Sequence, residues 1–538
     1  MTRVVKSLLF ASLLSAFSGT AAHAQTIHAA TCNSSDVQAA LNSVSVDGST
    51  VIIPAGTCTW TTAVSYNQVF STTILGAGNQ STVGGGDATV ILDHINHNNG
   101  GKPDYTIAIS TAAGKSFRFS GVTLEQDGSS VTSNNGNFLL SGSSQAFRVD
   151  HCHFLKNNQL QVGVGGQVYG VFDHDLFDSS DLGIRMSAYN WGGGTNGDGS
   201  WADATTFGSN RFIFVENSTF NSLSTGTPTP ANDCITAGRF VFRFNNLING
   251  AALQTHPTGH DGSTGNDRGC RAWEIYENTF TNTGATPEFN AMFASAGTGL
   301  MWGNAILSGY ENGMTLHSMR RDNSTYAQTS TPNGWGYCGS SFNGTKSNWD
   351  QNTNPSMGYA CLDQPGRGVG DLLGGTMPQR CDVTAGDCSN HMYTGRWPNE
   401  ALEPIYQWSD HWNPVSGYPG SLINNDSAAV LIQNQDYYTY TTSFNGTSGT
   451  GSGTLAARPS NCTAGPGGDT PGVAYWATDQ GNWNQSGSGG QGVLYVCTAT
   501  NTWTLYYTPF AYPHPLTLGS TSSSGPPAPS NLIAVINN

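Results

Sequence analysis

The feature that most constrains this chain is a recurring short β-rich segment in its first 310 residues. It appears as Phe117–Leu124, Phe147–Phe154, Tyr169–Phe177, Phe212–Phe220, Phe240–Leu247, Trp273–Phe280 and Leu300–Ile306. In the last six, a polar turn residue precedes an apolar one by two or three positions. Counting that residue gives steps of 23 from His151 to His174, 28 from Asn217 to Asn245, 33 from Asn245 to Asn278 and 26 from Asn278 to Asn304. One such segment cannot bury its apolar face alone, whereas stacked coils about 4.8 Å apart share one continuous core. Asparagine suits the turns because it tolerates left-handed backbone and can hydrogen-bond the coils above and below. An antiparallel sandwich would instead show hairpin turns about every 8–12 residues, which fits less well.

A solenoid also explains how 538 residues can belong largely to one architecture. Charged residues make up 10% of the chain, with 20 basic against 35 acidic. No basic stripe is visible, so a nucleic-acid partner is not expected. Residues 1–24 read as a secretory leader: Arg3 and Lys6, the mostly apolar run Leu8–Phe17, then Ala22-His23-Ala24. The run is too short to span a bilayer, so no membrane span is expected and the mature chain is read as exported after cleavage near Ala24. Eleven cysteines fit an oxidising compartment. Nearest-neighbour pairing suggests Cys32–Cys58, Cys234–Cys270, Cys338–Cys361, Cys381–Cys388 and Cys462–Cys497, with Cys152 left over; other connectivities remain open.

Near the N-terminus, Ser34-Ser35-Asp36 precedes Val37, Ala40, Leu41 and Val44 at helical spacing. Val51-Ile52-Ile53-Pro54-Ala55-Gly56-Thr57-Cys58 and Thr73-Ile74-Leu75-Gly76-Ala77-Gly78 then read as strands ending in turns. This run resembles the N-terminal cap of the pectate-lyase-like superfamily of right-handed parallel β-helix proteins. The resemblance implies an all-β, right-handed parallel β-helix with a capping helix, a fold that hosts lyases, hydrolases, esterases and non-enzymes. The expected organisation is a leader over 1–24, a β-helix over 25–320, a loop-rich, disulfide-tied extension with short β pieces over 321–520 and a Pro-rich tail over 521–538. A monomer is expected.

Loops leaving a rigid solenoid are where binding sites usually sit. The densest polar constellation is His256, His260, Asp261, Asp267, Arg268, Arg271 and Glu274. Stacking should bring Arg243 and Tyr276 beside them, and alternation about Trp273 and Ile275 turns Glu274 outward. His317, Arg320 and Arg321 follow on the next coil. These groups suit a uronate-polysaccharide lyase, in which a cation neutralises the substrate carboxylate and a base removes the C5 proton. His256 or His260 would be the base and Arg268 or Arg271 the carboxylate partner, with Glu274 in the same site. Arg243, Tyr276, His317 and Arg320 would bind substrate, and Asp261 and Asp267 have oxygens that could hold Ca²⁺.

A glycoside hydrolase would need two carboxylates, for which Asp173, Asp175, Asp178 and Asp181, near Arg185, are the candidates. The N-T-D, D-D, G-H-G and R-I-K motifs of polygalacturonase-like β-helix hydrolases are not cleanly present. The paired histidines of Asp150-His151-Cys152-His153 suggest metal ligands or alternating turn positions. Loop tryptophans such as Trp191, Trp201, Trp335 and Trp408 could stack on sugar rings or pack loops onto the solenoid. The expected function is cleavage of an extracellular polysaccharide in a groove along one sheet, with elimination favoured over hydrolysis. The competing class is a non-catalytic, sugar-binding or adhesive surface rod, favoured if His256, Arg268, Arg271 and Glu274 do not converge.

Overall fold

The computed structural model describes residues 23–97, 105–126, 136–157, 160–179, 183–187, 198–223, 229–256, 269–284, 286–318, 363–368, 401–428, 431–487 and 491–518. Each turn of the chain visits three long parallel sheets in order. Ser49–Ile52 lies in sheet A, Gly56–Trp60 in sheet B and Val64–Asn67 in sheet C, before Thr72–Leu75 returns to sheet A one coil along. Among the described residues, twelve strands build sheet A and ten build each of the others. This is a parallel β-helix.

The stacking follows from the period-2 pattern of the repeat. In sheet A, Phe119, Val149, Phe172, Val215, Phe242, Ile275 and Met301 pair one to the next along a single inward column, and all are fully buried. In sheet B the rings of Phe154, Phe177 and Phe220 stack at centroid distances of 4.8 and 4.5 Å. Burying one such side chain contributes about 2–3 kcal/mol, so a register slip of one residue would expel the whole column. Helix α1, Ser34–Asn42, buries Val37, Ala40 and Leu41 in the same core.

The turn between sheets A and B repeats with one conformation. His151, His174, Asn217, Phe244, Glu277 and Ser409 all have φ between 54 and 58°. The turn asparagines need a one-residue reframing, because Asn245, Asn278 and Asn304 follow the left-handed residue rather than occupy it. They form a buried ladder: Asn245 Nδ2 donates to Asn278 Oδ1 (3.1 Å), Asn278 Nδ2 to Asn304 Oδ1 (3.0 Å) and Asn304 Nδ2 to Asp410 Oδ1 (2.7 Å).

Three disulfides close as the spacing suggested, Cys32–Cys58, Cys234–Cys270 and Cys462–Cys497, and Cys152 is free and buried. The other two proposed pairs, the leader up to residue 22 and the tail from 519 lie outside the described residues. The solenoid does not end at residue 320. Ile405–Trp408, His411–Trp412 and Ile423–Asn425 add a further coil to sheets A, B and C. A four-stranded sheet then forms from Thr450–Gly453, Ala474–Ala477, Val493–Ala499 and Thr502–Tyr507. It packs on the outer face of sheet A, where Phe214, Val241, Tyr276, Leu300, Trp302, Tyr406 and Trp408 share a second core with Trp476, Trp483, Leu494 and Tyr507.

Candidate functional site

Sheet A carries the expected groove residues, but the C-terminal segment roofs them. The outward column Asp150, Asp173, Glu216, Arg243, Tyr276, Trp302, Trp408 runs in register along this face. Arg243 is fully buried: Nε donates to Glu216 Oε2 (2.8 Å), Nη1 to Tyr276 Oη (2.9 Å) and Phe510 O (2.7 Å), and Nη2 to Ala511 O (2.8 Å). Tyr276 stacks on Trp302 at 4.4 Å. Glu274 faces away from the solenoid interior but accepts from Gly208 N (2.8 Å) and Tyr507 Oη (2.7 Å), and burial pushes its carboxyl up to about 7. Arg271 donates to Glu403 Oε2 (2.7 Å) and lies over the Trp201 ring. These groups are joints between roof and solenoid. The reason is tertiary: residues 403 and 507–511 saturate charges that the local sequence leaves unpaired.

The aspartates considered for hydrolysis separate into three environments. Asp173 is clamped by Arg148, with Nε and Nη2 donating at 2.8 and 2.9 Å. Asp175 is buried in the turn ladder, where burial raises its carboxyl and Oδ1 accepts from Cys152 N (2.8 Å). Asp178 is partly exposed and pairs with His153 Nε2 (3.0 Å), whose Nδ1 meets Asp87 Oδ1 at 2.8 Å. Burial opposes the charge on that imidazole, yet the two carboxylates raise His153. His151 instead pairs with Asp150, so the two histidines of the His-Cys-His segment serve separate ion pairs. Asp181 and the side chain of Arg185 lie outside the described residues.

Two candidate histidines, His256 and His317, stand at the C-terminal ends of sheet C strands. His256 follows Ala251–Thr255, and its Nδ1 lies 2.5 Å from Asp233 Oδ1. Two coils on, His317 follows Tyr310–Leu316, and its Nδ1 lies 2.7 Å from Asp426 Oδ2. Between them Phe293 packs its ring 5.1 Å from the His317 ring. Ser427 Oγ donates to Asp426 Oδ1 (2.9 Å) and accepts from Ser318 N (2.8 Å), so the carboxylate is itself anchored. A carboxylate at Nδ1 selects the tautomer that carries the proton there and makes Nε2 of His317 a proton acceptor. The strands Ile184–Ser187, Ala251–Thr255 and Tyr310–Leu316 of this sheet each end within two residues of the limit of a described stretch.

Of the expected site residues, sheet C takes His256 and His317, while Arg243, Arg271, Glu274 and Tyr276 stand on sheet A. His260, Asp261, Asp267, Arg268 and Arg320 lie outside the described residues. Sequence reasoning passed over Asp233, Phe293 and Asp426. Alternation alone would have turned Asp233 and Phe293 outward, but no local pattern links Asp426 to a histidine 109 residues away. Among the described residues, no three metal-ligating side chains gather at one point.

Fold and site together define a parallel β-helix protein with histidine–carboxylate pairs along the edge of one sheet. No family model and no curated protein matches the chain. Among solved structures, an alginate lyase from Paenibacillus sp. str. FPU-7 aligns at 14% identity over 52% of this chain and 94% of its own, with a TM-score of 0.30. The catalytic domain of a GH87 alpha-1,3-glucanase in complex with nigerose aligns at 12% identity over 55% and 60%, with a TM-score of 0.27. A Yersinia enterocolitica Family 28 exopolygalacturonase aligns at 13% over 55% and 75%, with a TM-score of 0.21. Likeness this loose transfers no residue and no reaction; the β-helix assignment rests on the chain's own sheet register.

Proposed function

We propose that the protein cleaves an extracellular polysaccharide at the sheet C edge by β-elimination on a uronate residue. The observation that carries this reading is the anchored His317–Asp426 pair, beside Phe293, at the C-terminal end of the sheet C strands. His317 Nε2 would take the proton α to the substrate carboxylate while Asp426 stabilises the imidazolium, a step worth about 10²–10⁴ in rate. His256, held by Asp233 on the same edge, would protonate the leaving oxygen. Arg268 and Arg320, with any Ca²⁺ held by Asp261 and Asp267, would neutralise the substrate carboxylate; Arg271 would not, since Glu403 already occupies it. Three disulfides fit secretion into an oxidising compartment, and no helix among the described residues is long and apolar enough to cross a membrane.

Incubation with alginate or polygalacturonate should generate the ultraviolet absorbance of an unsaturated uronate, and His317→Ala should lower that rate by about 100-fold or more. New reducing ends without the absorbance would replace elimination by hydrolysis. A second reading, glycan binding without cleavage, is favoured by one observation: Arg271 and Glu274 do not converge with His256. Retained binding with neither product would establish it.

A further inference from the structure

At the end of sheet C, the register aligns three side chains from distant parts of the chain. Ala294 pairs with Leu316 and Leu316 with Asn425. The ladder continues one residue further, with His317 N donating to Ala294 O (3.0 Å) and Asp426 N to Leu316 O (3.3 Å). Ser295, His317 and Asp426 therefore hold one position on three consecutive coils, spaced about 4.8 Å apart. Ala294 and Ala296 both lie in the hydrophobic core, so alternation turns Ser295 to the outer face that carries His317. The Ser295 hydroxyl is buried and makes no hydrogen bond among the described residues. A hydroxyl left in that state has a cost that calls for an explanation. On the next coil stands an imidazole whose Nδ1 is already committed to Asp426.

We infer that Ser295 is the nucleophile, His317 the general base and Asp426 the orienting carboxylate of an acyl-transfer site, acting on a carboxylic ester such as an O-acyl group on a saccharide. Ser295 Oγ attacks the acyl carbon as its proton passes to His317 Nε2. The ester C–O bond then breaks and the imidazolium returns that proton to the leaving alcohol. Water, deprotonated by the same imidazole, hydrolyses the acyl-serine to carboxylate and restores the hydroxyl; no oxidant, metal or cofactor is consumed. The hydroxyl–imidazole contact is not made in the resting chain, and such contacts tighten with substrate bound. This activity goes beyond cleavage of the polymer and shares the His317–Asp426 pair with it, Ser295 being the group it adds.

The test uses the full chain with phenylmethylsulfonyl fluoride and p-nitrophenyl acetate. The sulfonyl fluoride should modify Ser295, located by peptide mass spectrometry. Release of p-nitrophenolate should fall by about 100-fold or more in Ser295→Ala and His317→Ala. Asp426→Asn, a positioning change, should lower kcat with little change in KM and move the pH profile. Ser295→Ala should still cleave polyuronate. Absence of modification at Ser295, or ester hydrolysis unchanged in a Ser295→Ala protein with native circular dichroism, overturns the proposal. Loss of polymer cleavage together with ester hydrolysis in that folded variant overturns it too. Ester hydrolysis without polymer cleavage in the wild type would overturn the elimination reading alone.

Discussion

Asp175 shows how a single side chain reads its neighbours. It occupies the ladder position that Asn245, Asn278 and Asn304 take on later coils. Each of those asparagines donates Nδ2 to a carbonyl of the preceding coil: Val215, Phe242 and Ile275, at 2.9, 2.9 and 3.0 Å. An ionised carboxylate cannot donate, so burial holds Asp175 protonated. Its folded value therefore lies above the unfolded one near 3.9, and the penalty is absent below that value and grows as pH rises through the window above it. Asp175→Asn should match wild type in stability at pH 3.5 and exceed it at pH 7 by about 1 kcal/mol or more, read from urea denaturation at both pH values. An advantage equal at both would show that ionisation plays no part.

At the scale of the element, the coil is held by turn and column together. Asn278 is the ladder's central member: Oδ1 accepts from Asn245 N (3.0 Å) and Nδ2, while its own Nδ2 reaches Phe242 O and Asn304 Oδ1. Asn278→Ala should cost about 2–4 kcal/mol, because it strands several buried partners at once. Asn249, on the outer surface at φ 56°, donates to Asn221 Oδ1 (2.7 Å), and its replacement by alanine should cost only about 1 kcal/mol, chiefly for left-handed backbone. Denaturant midpoints of the two variants check the contrast. The coils were legible in the sequence because Phe117, Phe147, Phe240 and Trp273 mark one register position. The one-residue frame of the turn was not, since Phe244 and Glu277 adopt a left-handed conformation that neither residue advertises.

Over the whole molecule, the roof and its buried acids should set the pH response. Burial pushes Glu274, Glu288 and Asp410 up to about 7 and Asp436 up to about 6. Each is protonated when folded and ionised when unfolded between roughly pH 4 and 7, so stability falls as pH rises through that range. Asp87 and Asp178, lowered chiefly by His153, contribute stability that is lost as pH falls below about 4. His514, held neutral by burial, opposes the first trend below about 6.5, one group against four. The melting temperature should therefore peak near pH 4 and drop by several degrees by pH 8; a monotonic rise to pH 8 would contradict this. Arg243→Met strands the Glu216 carboxylate beneath the roof and should cost about 3–5 kcal/mol, measured by thermal melts.

What the sequence determined by itself was everything carried by local period: stacked coils, the inward columns, the disulfide spacings of Cys32–Cys58 and Cys234–Cys270, and the outward turn of Glu274. Which outward face stayed open was decided only by the tertiary structure. Glu274 and Arg243 meet Tyr507 and Phe510 more than 230 residues later in the chain, and His317 meets Asp426 across 109. A strand's alternation states which side chains leave the core, but not which distant segment will come to cover or orient them. That choice depends on contacts whose partners share no pattern until the coils have stacked.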